Sequence, residues 1–252
     1  MEVHHPHHLG HKKKWKEYFL EFLMLFVAVT LGFFAENIRE HYVEKSREEK
    51  FIAIVHEDLL NDIRALNKLK HAYEQRLKRE DTLLNLLALQ NFTKTNDLYY
   101  LARLNSVREF FHHSKNGFLQ LKNAGGLRMV ENISIIKKIQ GYEISVDEMD
   151  ELQSLTENLL MNYREKMAEI FDGRIFRVMA TNPSAESLED RFSRPLGNPA
   201  LISSNSAEIN QFLNKALYVH NNNIGILNRL NKLLKEANDL NAVLINHYKI
   251  GI

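Results

Sequence analysis

Cysteine is absent from the 252 residues. Disulfide frameworks, thiolate nucleophiles, Cys-ligated zinc and iron–sulfur clusters are therefore excluded. Proline is nearly absent: Pro6, Pro183, Pro195 and Pro199 are the four, and none lies between His7 and Asn182. Glycine numbers only ten. So few chain breakers over so long a stretch argue against a loop-rich sheet protein and for an all-α chain. Excess charge of one sign is also missing, since 33 Lys and Arg face 32 Asp and Glu. A nucleic-acid partner would need a basic field that this balance does not supply. The nucleotide-binding and hydrolase signatures G-x-x-x-x-G-K-[ST], G-x-G-x-x-G, G-x-S-x-G and H-E-x-x-H do not occur.

What is present begins with one uncharged run. Phe22 to Ala35 reads FLMLFVAVTLGFFA, and extending back to Tyr18 gives eighteen residues with Glu21 as the one charge. Eighteen helical residues span about 27 Å, close to the hydrocarbon thickness of a bilayer. Trp15 and Tyr18 supply interfacial aromatics, and Lys12, Lys13, Lys14 and Lys16 can reach head groups. A buried core helix would not need those flanks. A cleaved signal peptide fits the basic start, but small residues at the cleavage spacing occur only as Thr30 and Gly32, with Phe33 and Phe34 following. The run reads as an uncleaved single-pass span.

Orientation follows from the cations. Four lie within fifteen residues on each side, those on the N-terminal side tight against the span. Long C-terminal domains cross largely regardless of charge. The expectation is an inner-membrane protein of a bacterium, with a cytoplasmic N-terminus and a periplasmic body.

The run MEVHHPHH, then HKKKWKEYFLEFLMLFVAVTLGFFAENIREH and VEKSREEKFI, closely resembles the start of an uncharacterised family of small bacterial single-span membrane proteins. A looser likeness continues through LQLKNAGGLRMVENISIIKKIQGY, from Leu119 to Tyr142. The resemblance implies membrane location and a helical body. It brings no activity, substrate or catalytic residue with it.

The expected organisation is a His/Lys-rich tail over 1–17, a transmembrane helix over 18–35, a charged helical neck over 36–51 and a soluble bundle over 52–252. In the neck nine of the fifteen residues from Glu36 to Lys50 are charged, with Glu36/Arg39, Glu44/Arg47 and Lys45/Glu49 spaced to pair on one helix. Steps of seven from Ile52 then meet Leu59, Leu66, Tyr73, Glu80 and Leu87. Val55, Leu69 and Leu83 at +3 and Ile63, Leu77 and Leu84 at +4 make the stripe wider than a coiled-coil seam, which favours an antiparallel helical bundle.

Further along, breaks are expected at Asn91–Asp97 and Ser114–Gly117, with His112-His113 at a helix end. Gly125-Gly126 stops a short helix from Phe118 to Asn123, and Leu127–Ile139 runs to Gly141. Ser145 followed by Glu148 reads as a capping box that opens a helix to about Phe171. Residues 182–205 hold three prolines and form a loop, and a last helix runs from Ser206 to about Tyr248. Leu213, Leu217, Ile224, Leu227, Leu234, Leu240 and Leu244 lie on or near one face of it. Its asparagines recur at seven residues, Asn214, Asn221 and Asn228 and again Asn231 and Asn238, spacing that either borders a wet face or sets the alignment of packed helices.

Three functional readings follow. The leading one is a non-enzymatic, membrane-anchored scaffold or interaction protein, homo-oligomeric or paired with another membrane or periplasmic protein. A second makes Glu21, with Thr30 nearby in the span, a carboxylate lining the pathway of an oligomeric channel. A third uses His4, His5, His7, His8 and His11 to hold a divalent transition metal loosely, and no other cofactor is implied.

Overall fold

The computed structural model describes residues 14–90, 92–123 and 125–250. These residues are helical, with seven α-helices, two single turns of 3-10 helix and no strand among them. The helices are α1 (Trp15–Ala88), α2 (Thr95–Asn105), α3 (Asn116–Asn123), α4 (Ile133–Ile170), α5 (Gly173–Met179), α6 (Leu188–Arg191) and α7 (Ser206–Tyr248). The chain divides into two units, Met1–Lys50 and Phe51–Ile252.

In the first unit the described residues are helical from Trp15 onward and almost all exposed. The expected Glu36/Arg39 pair forms, Arg39 Nε donating at 2.9 Å to Glu36, and this contact draws the Glu36 carboxyl below its ordinary pKa. Both groups are fully exposed, so the pair adds little stability.

The second unit is built on one repeating rule. Along its part of α1 the buried positions include Ile52, Val55, Leu59, Asp62, Leu66, Leu69, Tyr73, Arg76, Glu80, Leu83 and Leu87, alternating steps of three and four. On α4 the same alternation runs Ile135, Ile139, Tyr142, Val146, Met149, Gln153, Thr156, Leu160, Tyr163, Met167 and Ile170. On α7 it runs Ile209, Phe212, Ala216, Val219, Asn223, Ile226, Leu230, Leu233, Ala237, Leu240 and Leu244. Steps of three and four keep one seam of a helix against its neighbours, and each apolar side chain on it stabilises by about 1.5–3 kcal/mol when buried.

That seam refines two sequence expectations. The fully buried positions of α1 form a three–four seam that takes in Asp62 and Arg76, which an apolar count skips, while Ile63 and Leu84 widen the stripe by packing against the core. Ile63, Leu77 and Leu84 are only half-buried beside it. On α7, Leu240 and Leu244 lie in the core and Leu213, Leu227 and Leu234 pack half-buried against it, whereas Leu217 and Ile224 are exposed on the outer side.

Polar seam residues divide the core in two. One cluster gathers Ile52 through Tyr73 with Ile135 through Met149 and Ile226 through Leu244. The other gathers Leu83 and Leu87 with α2, the end of α4 and Ile209 through Val219. Tyr163 and Phe212 meet there with ring centroids 4.9 Å apart, and Phe212 and Phe171 at 5.7 Å.

Helix boundaries differ from expectation at three places. α4 is continuous through Gly141 and Ser145, and its cap is Asn132, whose side chain accepts from the N–H groups of Ser134 and Ile135. Gly141 lowers helix propensity by only about 1 kcal/mol, which the seam on either side outweighs. Ser145 is buried, so the Ser145–Glu148 capping box does not form. The segment from Leu127 is a 3-10 turn, Gly126–Arg128, preceded by Gly125 in the left-handed region at φ 68°. α2 already begins at Thr95 and ends at Asn105, and residues 107–115 are non-helical, so His112-His113 is not at a helix end. Side chains hold that segment instead: Arg76 takes the carbonyls of Asn105 and Val107, and Gln153 bonds both the N–H and the C=O of Phe111.

The proline-containing stretch is pinned to the body and includes the short helix α6, Leu188–Arg191. Ala180 and Phe192 form an isolated antiparallel bridge, Tyr99 Oη donates to the carbonyl of Ala200 at 2.9 Å, and the Ile202 N–H donates to Ile170 at 2.8 Å. α7 spans Ser206–Tyr248, matching the sequence reading.

Two glycine substitutions separate crowding from propensity. A methyl at Gly117 would lie 2.7 Å from the backbone nitrogen of Val55, whereas one at Gly141 meets nothing within 4 Å. Gly117→Ala is expected to cost about 1–3 kcal/mol and Gly141→Ala to add about 1 kcal/mol, read from urea denaturation of the detergent-solubilised full chain.

Candidate functional site

The first candidate is the apolar part of α1. An eighteen-residue window of it is long and apolar enough to cross a membrane, and none of that window is buried within the chain. Phe22, Leu25, Phe33 and Phe34 are each more than 60 % exposed. Lys14, Trp15, Lys16 and Tyr18 are exposed at its N-terminal end, and the rings of Trp15 and Phe19 stack at 6.3 Å. Thr30 turns its hydroxyl back to the carbonyl of Phe26 at 2.7 Å, which satisfies it inside its own helix. Glu21 is half-exposed and has an interaction partner in the chain. His4, His5, His7, His8, His11, Lys12 and Lys13 lie outside the described residues.

The second unit holds two buried polar clusters that the sequence reading did not single out. In the first, Arg76 is 1 % exposed and donates from Nε to Glu80 at 2.9 Å, and from its two terminal nitrogens to the carbonyls of Val107 and Asn105 at 2.6 Å. Glu80 also accepts from Asn223 Nδ2 at 2.6 Å and faces His220 Nδ1 at 3.2 Å. The Glu80 contact raises the His220 pKa above its ordinary value against the opposing effect of burial, and the charges of Glu80 and Asp81 add to the rise. Burial pushes the phenol of the adjacent Tyr163 well up, so it remains a donor, to Ala102 at 3.0 Å.

The second cluster centres on Asp62. Its carboxylate accepts from Tyr142 Oη at 2.8 Å and the Ser114 N–H at 2.8 Å, and contacts His113 Nδ1 at 2.5 Å. Burial first, then the Asp62 charge, drives the Tyr142 phenol far above its ordinary range. One turn earlier Asp58 accepts from the Gly117 N–H at 2.5 Å. Together these carboxylates hold the chain between Asn105 and α3 against α1. His113 sits among the rings of Phe111, Phe118 and Tyr142, while His220 reaches α1. Among the described residues no group of three or more His, Asp or Glu is placed to hold a metal ion.

An open cleft of about 1030 Å³ lies over the Ala65–Thr82 stretch of α1. Ala65, Leu69, Ala72, Leu101 and Phe110 give it an apolar lining. Ion pairs cross its rim, Lys68 with Glu186, Arg79 with Glu189 and Arg194 with Asp97. One oxygen of Glu109 is shielded there with no hydrogen-bond partner among the described residues. A signal for the buried clusters exists in the sequence, since Asp62, Arg76 and Glu80 fall on the seam spacing. The cleft has none, because its walls come from three segments separated in sequence, Ala65–Thr82, Asp97–Phe110 and Glu186–Arg194.

No protein-family model, curated protein or solved structure matches the chain.

Removing the anion of the first cluster tests its weight. Glu80→Gln leaves the Arg76 guanidinium buried without a counter-charge and is expected to cost about 3–5 kcal/mol in denaturant titrations of the full chain. His220 adds a pH dependence of defined sign. Its folded pKa is raised, so its stabilisation is complete below the unfolded value of about 6.5 and is lost as pH rises through the folded value. The stability difference between wild type and His220→Gln is therefore expected to be largest at acid pH and to shrink at alkaline pH in paired melts.

Proposed function

We propose that the protein is a membrane-anchored helical scaffold or interaction protein, working as an oligomer through contacts and not through a reaction of its own. The observation that carries this reading is the apolar window of α1, which none of the described residues covers, on the same helix whose later turns supply one seam of the body. An uncovered run of that length needs lipid or protein around it. The exposed Trp15 and Tyr18 beside Lys14 and Lys16 support a membrane interface at its N-terminal end.

On this reading the chain crosses a bacterial inner membrane once, with the N-terminus cytoplasmic and the body periplasmic. The family resemblance of the first sixty residues supports the location. The body is an antiparallel bundle, a reading supported by three pairs: Glu148 with Arg229, Thr156 with Asn222 and Tyr163 with Phe212, in which position rises on α4 as it falls on α7. Asp62 and Glu80 accept from donors in the chain, which supports a structural role for them.

Leu25→Arg with Val27→Arg puts two charges mid-span, at about 2.5–3.5 kcal/mol each. The double variant is expected to leave the membrane pellet after carbonate washing, where wild type stays. Native mass spectrometry in detergent is expected to give a defined oligomer. A monodisperse wild-type monomer with no co-purifying protein overturns the assembly reading, and wild type released by carbonate overturns the anchor.

A further inference from the structure

α7 has a second face. From Asn210 to Asn231 every exposed position on this helix is uncharged, in a chain of which 26% is Asp, Glu, Lys or Arg. The exposed positions of α1 and α4 in the same unit carry many charges, among them Arg64, Lys68, Lys78, Lys137, Asp147 and Glu151. Solvent alone gives no reason for one helix to shed them.

The uncharged positions form a packing pattern. Asn214, Leu217, Asn221, Ile224 and Asn228 alternate steps of three and four, the same spacing that seats the helix in its own core, displaced to the outer side. Leu217 is 38 % exposed, Ile224 41 % and the flanking Tyr218 64 %. In the middle of this face stands Gly225, where a methyl group would meet nothing within 4 Å. Nothing inside the chain requires a glycine there, and glycine is the poorest helix former after proline. Its absent side chain leaves room for the backbone of another helix to come close.

Resting on the oligomeric reading above, we propose that this face of α7, centred on Asn221 and Gly225, is where two copies of the chain join. The amides select the partner. Asn214, Asn221 and Asn228 make no hydrogen bond among the described residues, and they stand at intervals of seven. An amide both donates and accepts, so a row of them complements itself across a two-fold axis without any charge. Hydrocarbon would leave those amides unsatisfied, and a strongly charged partner would find no counter-charge at the exposed positions from Asn210 to Asn231, with Lys215 and Arg229 only half-exposed beside them. Asn221 is the midpoint of the face, so it meets its own copy whether the two helices run parallel or antiparallel.

The cysteine-free chain makes the test direct, because a single introduced thiol is unique. Asn221→Cys in native membranes is expected to give a disulfide-linked dimer on mild oxidation, and Ser154→Cys on the exposed side of α4 is not. Ile224→Lys is expected to reduce the mass seen in detergent to that of a monomer, with helical circular dichroism unchanged and melting no longer dependent on protein concentration. Gly225→Leu, which fills the gap without adding charge, is expected to do the same. If wild type is oligomeric but Asn221→Cys does not cross-link and Ile224→Lys leaves the mass unchanged, the face is not the interface, while the oligomeric reading survives. If wild type is itself a monomer, both fall.

Discussion

Steps of three and four keep a seam of side chains in line along a helix, and in the second unit α1, α4 and α7 each hold such a seam over eleven positions. Whatever residue the spacing places on a seam is buried, whether or not it is apolar. Where leucine, isoleucine or an aromatic falls there, the core closes. Where Asp62, Arg76 or Glu80 falls there, burial creates an obligation, since a charge removed from water must find partners or cost several kcal/mol. The segment after α2 meets part of that obligation, bonded by Arg76 at its start, by Gln153 at Phe111 in its middle and by Asp62 at Ser114, with Asp58 holding the first turn of α3 at Gly117. A stretch with no helix of its own is thereby ordered by the polar members of the helices beside it.

This explains which parts of the fold were legible in the sequence. The extent of α7 could be read because no proline interrupts it and its apolar repeat is long, and the structure adds Asn205 as its cap. The steps of seven from Ile52 found six seam positions correctly. The +3 positions Val55, Leu69 and Leu83 add three more, and Asp62 and Arg76 were missed because an apolar count passes over them and slides onto Ile63 and Leu77, which border the core. Gly141 and the Ser145–Glu148 spacing looked like an end and a beginning, but both are local preferences of about 1 kcal/mol, and the seam of α4 runs through them.

Of the candidate sites, the apolar run was legible as one long helix because hydropathy is a local property. Thr30 could not be weighed from its position alone, since its bond to the Phe26 carbonyl depends on a rotamer. The polar clusters depend on residues 29 to 143 positions apart, from Arg76 with Asn105 to Glu80 with Asn223, and spacing along one helix names only half of each. The asparagines of α7 divide the same way. Those at heptad spacing are the exposed ones, and Asn223, which follows no such repeat, is the one that enters the core.

Asn223 and His220 also limit how the helices can align. A purely apolar three–four seam accepts a partner displaced by seven residues almost as well as one in place, because leucine replaces leucine. Sliding α7 by one heptad against α1 would exchange His220 for Leu213 or Leu227, and Asn223 for Ala216 or Leu230. Glu80 would then lose both donors from α7 and face hydrocarbon beside Arg76. One carboxylate placed among leucines thus gives a repetitive pair of helices a single register.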